Sequence, residues 1–315
     1  MKHIPQCEIE AMLESIHAHP EYFEPERMIH AYRSKGLQVV PDPFSADIVV
    51  PIQQALLAEK GLSVIRIGDG EMNLLSYGAY AHTPHLDDRV VQAILSKQQD
   101  TFTADPGWMV ILRDLMLGAV AQADLIGVIG LWRPPGPAST EHFAQRFLQD
   151  HRGISGHWRA MDYMLKLASQ GLLNQKILTS AHLYFAVLEH LRELLPLARQ
   201  VFMISDRENV LKKMAISYPH VHFKYIPVGQ HRRISEKPHD KPDFLLHLFS
   251  ALPKEMPGVL CLVGAGPWAE IYCTWIKQRG GVGVDFGTGF DLLDGQMTRP
   301  IHKILGLERI GQYAL

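Results

Sequence analysis

Short apolar runs recur along this chain, separated by longer stretches with helical spacing. The runs Ser63–Ile67, Leu125–Leu131, Lys176–Thr179, Gln200–Ile204, His222–Val228, Val259–Val263 and Val282–Phe286 predict strands. Between most of them lie amphipathic stretches that predict helices: Asp87–Phe102, His157–Gln170, Leu183–Leu195, Asp243–Leu252 and Trp268–Arg279. Strands joined through helices of this length imply an α/β fold, a Rossmann-like, mostly parallel sheet with helices on both faces. Residues 1–45 read as an N-terminal helical extension, closed by Pro41-Asp42-Pro43, and 46–315 as one domain. The polar, aperiodic stretch Gly229–Pro242 reads as an exposed loop.

The most apolar stretch, Trp108–Trp132, is broken by Arg113, Asp114 and Asp124. It therefore predicts a buried helix followed by a strand, not a membrane span. The N-terminus has no apolar core of the kind a secretion signal needs, so a cytoplasmic location is expected. Lys and Arg number 31 against 33 Asp and Glu, which leaves no basic excess to bind nucleic acid through its phosphates. Apolar residues at 47% exclude a disordered chain. Cys7, Cys261 and Cys273 form no C-x-x-C pair and fit a reducing compartment. The 17 histidines show no metal-ligand spacing, and only His182 and His231 follow strand ends. No P-loop and no G-x-S-x-G elbow is present.

In an open α/β sheet, ligands bind beyond the carboxyl ends of the strands. The first predicted strand runs into Gly68-Asp69-Gly70-Glu71. The glycines let a ligand approach closely, and two carboxylates fall within one tight turn. Mg²⁺ and Mn²⁺ take oxygen ligands of this kind, with substrate phosphates completing the shell. Arg66 adds a fixed positive charge. The competing structural reading makes Asp69 a helix N-cap and Glu71 a first-turn acid.

The string Ser63-Val-Ile-Arg66-Ile-Gly68-Asp69-Gly70-Glu71 resembles the start of the glycosyltransferase domain with the GT-D fold, once classed as a domain of unknown function. That family carries R-[FY]-G-D-G-E after its first strand, and here Ile67 replaces the aromatic. The resemblance extends over about residues 60–290 and is strong at this motif and at a late glycine loop. It implies a divalent metal, Mn²⁺ or Mg²⁺, held by Asp69 and Glu71. It also implies a nucleotide-sugar donor, in the first instance a UDP-sugar, and a glycan or glycoprotein acceptor in bacterial surface-glycan or glycoprotein assembly.

The late loop is Gly264-Ala-Gly266-Pro267-Trp268-Ala269, between the strand Val259–Val263 and a helix. Backbone N–H groups at such a helix start can bind phosphate. Val284-Asp285-Phe286-Gly287 matches the Asp-[IF]-Gly that follows this loop in the GT-D family. Alone, Gly264, Gly266 and Asp285 would equally suit an S-adenosylmethionine- or NAD-dependent Rossmann enzyme, or an ordinary tight turn. The loop stands late in the chain, which disfavours those enzymes.

Other strand ends supply further candidates. Ser205 and Glu208 read as a capping box, which leaves Arg207 available to a diphosphate. Gly229, His231, Arg232 and Arg233 follow another strand as a basic loop. Ser180 reads as a cap of the next helix and His182 as a surface or pocket residue, and both join the substrate-binding candidates. The sequence therefore predicts a metal-dependent glycosyltransferase. Asp69, Glu71 and Asp285 are its catalytic candidates, with Glu270 and Asp291 as alternative bases. A non-catalytic nucleotide- or sugar-binding module remains the third reading. Residues 1–45 either pack on the domain or mediate a homo-oligomer.

Overall fold

In the computed structural model, residues 4–98, 106–134, 139–228, 248–306 and 313 are described. Eight strands form one parallel sheet. They are β1 (Gln38–Val40), β2 (Leu62–Ile67), β3 (Leu125–Val128), β4 (Ile177–Ser180), β5 (Gln200–Ser205), β6 (Phe223–Pro227), β7 (Val259–Val263) and β8 (Val282–Asp285). Their order is β1-β4-β3-β2-β8-β7-β5-β6. The registers are set by pairs such as Val39 with Leu178, Ser63 with Gly283, Met203 with Leu262 and Val263 with Asp285. The expected Rossmann-like α/β fold is what the chain adopts.

Every predicted strand is present, with ends shifted by up to three residues. β1 was not anticipated, because three residues are too short to show a pattern. The apolar stretch Trp108–Trp132 divides as expected into a helix, Pro106–Gln122, and strand β3. Among the described residues, no helix is long and apolar enough to cross a membrane. The central strands β3 and β7 are buried at every position, which parallel packing requires.

The chain divides into two units, each assembled from several segments. The first comprises residues 1–41, 66–121 and 126–181, and the second 42–65, 122–125 and 182–315. The N-terminal helices α1 (Gln6–Ala18) and α2 (Pro25–Ser34) belong to the first unit. Six further α-helices follow up to Ser169: α3 (Val50–Leu57), α4 (Asp69–Leu75), α5 (Pro84–Gln98), α6 (Pro106–Gln122), α7 (Thr140–Gln149) and α8 (His151–Ser169). α1 is fastened to α5 by Glu8, which accepts from the Leu86 N–H at 2.8 Å and meets His85 Nδ1 at 2.6 Å. Tyr32 of α2 donates to the Ala160 carbonyl of α8 at 2.8 Å.

Each unit also holds a histidine away from its ordinary pKa. In the first unit half-buried His157 stacks on Phe23, ring centres 5.3 Å apart, with Phe143 tilted against it at 6.0 Å, and desolvation, with Arg133 and Arg146, pushes its pKa down to about 4. In the second, Nε2 of His302 lies 3.0 Å from the Tyr184 hydroxyl. Burial, with Arg299 adding and Asp291 opposing, again gives about 4. A histidine held neutral in the fold binds its proton more readily once unfolded, so it contributes stability above about pH 6.5 that is lost as pH falls towards 4. Urea unfolding should therefore show stability falling between pH 6.5 and pH 4. His157→Leu, whatever its absolute cost, should flatten that slope. An unchanged slope would exclude His157 as a source.

Candidate functional site

The acidic turn lies wholly in the first unit. β2 ends at Ile67, and α4 begins at once. Gly68, not Asp69, is the N-cap residue, with extended backbone and no side-chain cap. The Met72 N–H donates to the Gly68 carbonyl at 2.9 Å. Asp69 is therefore the first helical residue, and the N-cap role anticipated for it as the structural alternative is not the one it plays. Its carboxylate is partly exposed, and Oδ2 stands 3.4 Å from Nε of Arg152. Glu71 turns back towards the cap: a Cβ placed on Gly68 would come within 2.7 Å of Oε2 of Glu71. Gly70 lies between them. Arg66 reaches from β2 to the carbonyl of Ala181, just past β4, at 3.4 Å.

The turn is held from behind by α8. Asn73 is fully buried, and its Nδ2 donates to the Asp69 carbonyl at 2.8 Å and to the Arg152 carbonyl at 2.9 Å. Its Oδ1 accepts from Ser155 Oγ at 3.0 Å and from Arg159 at 3.2 Å. Arg159 is buried in turn and pairs with Asp87 of α5. Burial pushes the Asp87 carboxyl above its ordinary range, while Arg159, the Gly78 N–H and Thr83 pull against it. The Arg159 guanidinium also lies 4.9 Å from the centre of the Tyr80 ring. Tyr80 donates to Asp162 at 2.8 Å.

At Gly156, α8 meets the turn backbone to backbone. A Cβ there would lie 2.2 Å from the Asp69 carbonyl oxygen. Asn73, Arg152, Gly156 and Arg159 were all missed by sequence reasoning. One available signal was Asp150, which caps α8 by accepting from the Arg152 and Gly153 N–H groups. It marks where α8 starts and so which residues form its first turn.

The second candidate loop lies in the second unit. Gly264 follows β7, and its N–H already donates to the Ile204 carbonyl at 2.8 Å. A Cβ at Gly264 would lie 2.7 Å from the ring of Phe290, so ring packing alone requires glycine there. Gly266 has φ +56°, in the left-handed region that favours glycine. Gly266, Pro267 and Trp268 form a single 3₁₀ turn before the helix Ala269–Gln278. Asp285 ends β8 and is buried, as is Glu270.

Three of the expected roles change. Ser205 does not cap the next helix, which begins at Glu208 behind Arg207; its Oγ instead accepts from the Arg207 N–H at 3.1 Å. Glu208 is thus the first helical residue and pairs with Lys212 at 2.9 Å. Arg207 donates to Asp291 at 2.6 Å, and Asp291 also accepts from Thr298 at 2.5 Å. Ser180 ends β4 and is not a helix cap: the next helix starts at Tyr184 with no side-chain cap. His182 meets Tyr184 edge-on, with ring centres 6.1 Å apart. Gly229, His231, Arg232 and Arg233 lie outside the described residues.

Asp69 and Glu71 offer hard oxygen donors two positions apart in the first turn of α4, and the Asp69 carboxylate is partly exposed. That chemistry fits a Mg²⁺- or Mn²⁺-type ion completed by water and phosphate. Among the described residues, no three His, Cys, Asp or Glu side chains gather as a larger ligand set. No family model, no curated protein and no solved structure matches this chain.

The Gly156 contact gives a direct test of how the turn is held. Gly156→Ala should cost about 3 kcal/mol, since backbone atoms must separate. Gly118→Ala, in α6 where a new Cβ meets nothing within 4 Å, should gain up to about 1 kcal/mol of helix propensity. Equal effects of the two substitutions in thermal unfolding would refute the close packing of α8 on Asp69.

Proposed function

We propose that the chain is a metal-dependent glycosyltransferase that moves a sugar from a nucleotide-sugar donor to an acceptor hydroxyl. The observation that carries this reading is the state of Asp69. Its carboxylate is in the first turn of α4, partly exposed, and not consumed by capping. The resemblance of Arg66–Glu71 to the GT-D motif supports the same assignment. So does topology: the chain runs from β2 through β3 to β4 on one side, and the later strands lie on the other. Ligands of open α/β sheets favour the carboxyl end of a strand at such a reversal.

In this reading Asp69 and Glu71 hold Mn²⁺ or Mg²⁺. The ion, when bound, neutralises charge on the diphosphate as the sugar departs. Asp285, the first of the base candidates, is buried at the end of β8 in the second unit. The second candidate, Asp291, already accepts from Arg207 and Thr298. A dehydrogenase or methyltransferase reading is less favoured, because Phe290 and Ile204 already account for Gly264 and its N–H.

Thermal shift with UDP, with and without Mn²⁺, tests the proposal. Ligand at a hundredfold over Kd contributes about 2.7 kcal/mol, or roughly 5 °C for a chain of this size. Wild type should show that shift only with Mn²⁺, and Asp69→Asn/Glu71→Gln should abolish it. A double variant that shifts as far as wild type would overturn the assignment.

A further inference from the structure

Arg152 forms an ion pair with the first carboxylate of the acidic turn, and nothing in its sequence context marks it. Its Nε faces Oδ2 of Asp69 at 3.4 Å, yet that nitrogen is buried and makes no hydrogen bond. The ion pair is thus a long one, with the donor poorly satisfied. Both side chains remain partly open to solvent, 28% for Arg152 and 35% for Asp69. Their backbones, by contrast, are fixed. Asn73 bridges the Asp69 and Arg152 carbonyls, and Gly156 presses α8 onto Asp69. The side chain can therefore change partner while its anchor point stays beside the turn.

A guanidinium and a divalent cation compete for the same carboxylate, whereas a guanidinium and a diphosphate attract. We propose that Arg152 is the resident counter-ion of Asp69 and exchanges partners on ligand binding. It gives up the carboxylate to the metal and pairs with the diphosphate. This rests on the reading of Asp69 as a metal ligand and adds to it a residue for the donor's anionic part. The unmet Nε then gains a phosphate oxygen. The exchange also keeps the turn charge-compensated in both states.

Competition gives effects of opposite sign, which general damage to the fold does not. Mn²⁺ binding alone can be followed by the loss of its free-ion paramagnetic resonance signal, and UDP binding in saturating Mn²⁺ by calorimetry. Arg152→Gln should tighten Mn²⁺ alone by about fivefold and weaken UDP by about tenfold. Arg152→Lys keeps the charge without the planar fork. It should leave Mn²⁺ near wild type and still weaken UDP, which keeps the test open should the glutamine variant fold poorly.

Asp69→Asn serves as the reference. If wild type binds Mn²⁺ through Asp69 but Arg152→Gln weakens both ligands or neither, the exchange is wrong and the metal assignment survives. If wild type binds no Mn²⁺, or binds it equally in Asp69→Asn, both are wrong.

Discussion

One amide side chain joins two helices whose sequences carry no common pattern. Asn73 donates to the Asp69 carbonyl within its own helix and to the Arg152 carbonyl at the start of α8. Its oxygen accepts from Ser155 and Arg159. A buried amide left without partners costs about 1–3 kcal/mol, so full satisfaction here fixes the position of α4 against α8. Gly156 allows the approach, because any side chain would strike the Asp69 backbone. The acidic turn is thus gripped through the Asp69 backbone while the Asp69 carboxylate stays partly exposed.

That grip depends on buried charge. Arg159 and Asp87 are both nearly inaccessible, and their pairing offsets a desolvation cost of several kcal/mol per ion. Such a pair contributes little net stability over apolar residues of equal volume, but it is unforgiving of a lost partner. It also orients Arg159 towards Asn73, and so ties α5 to the same cluster. Glu8 extends the chain of polar contacts to α1 through the Leu86 N–H. Burial raises the Glu8 carboxyl, but the N–H groups of Leu86 and His85 and the His85 ring outweigh it and hold it below its ordinary range. The N-terminal helices are in this way part of the first unit's support.

Much of the architecture was legible because parallel strands are buried on both faces and therefore appear as short apolar runs. β7 was bounded correctly from Val259 to Val263 for this reason. β1 was not, since Gln38–Val40 is too brief to carry a period. The two chemical loops were visible through their glycines, but glycine does not declare its cause. At Gly264 the cause is the Phe290 ring, distant in sequence. The capping box at Ser205 misled because the strand runs one residue further and the serine bonds the Arg207 N–H in a tighter turn. Asp150 could have marked the start of α8, but not the roles of Asn73, Arg152 and Gly156, which arise from tertiary contacts between helices some eighty residues apart.

The most direct measurement is crystallographic. Crystals of the protein grown with MnCl₂ and UDP can be measured at the manganese absorption edge. The account predicts an anomalous peak about 2.1 Å from an Asp69 carboxylate oxygen, with Arg152 turned from Asp69 to a phosphate oxygen. Ordered UDP with no manganese at Asp69, and Arg152 still beside that carboxylate, would contradict it.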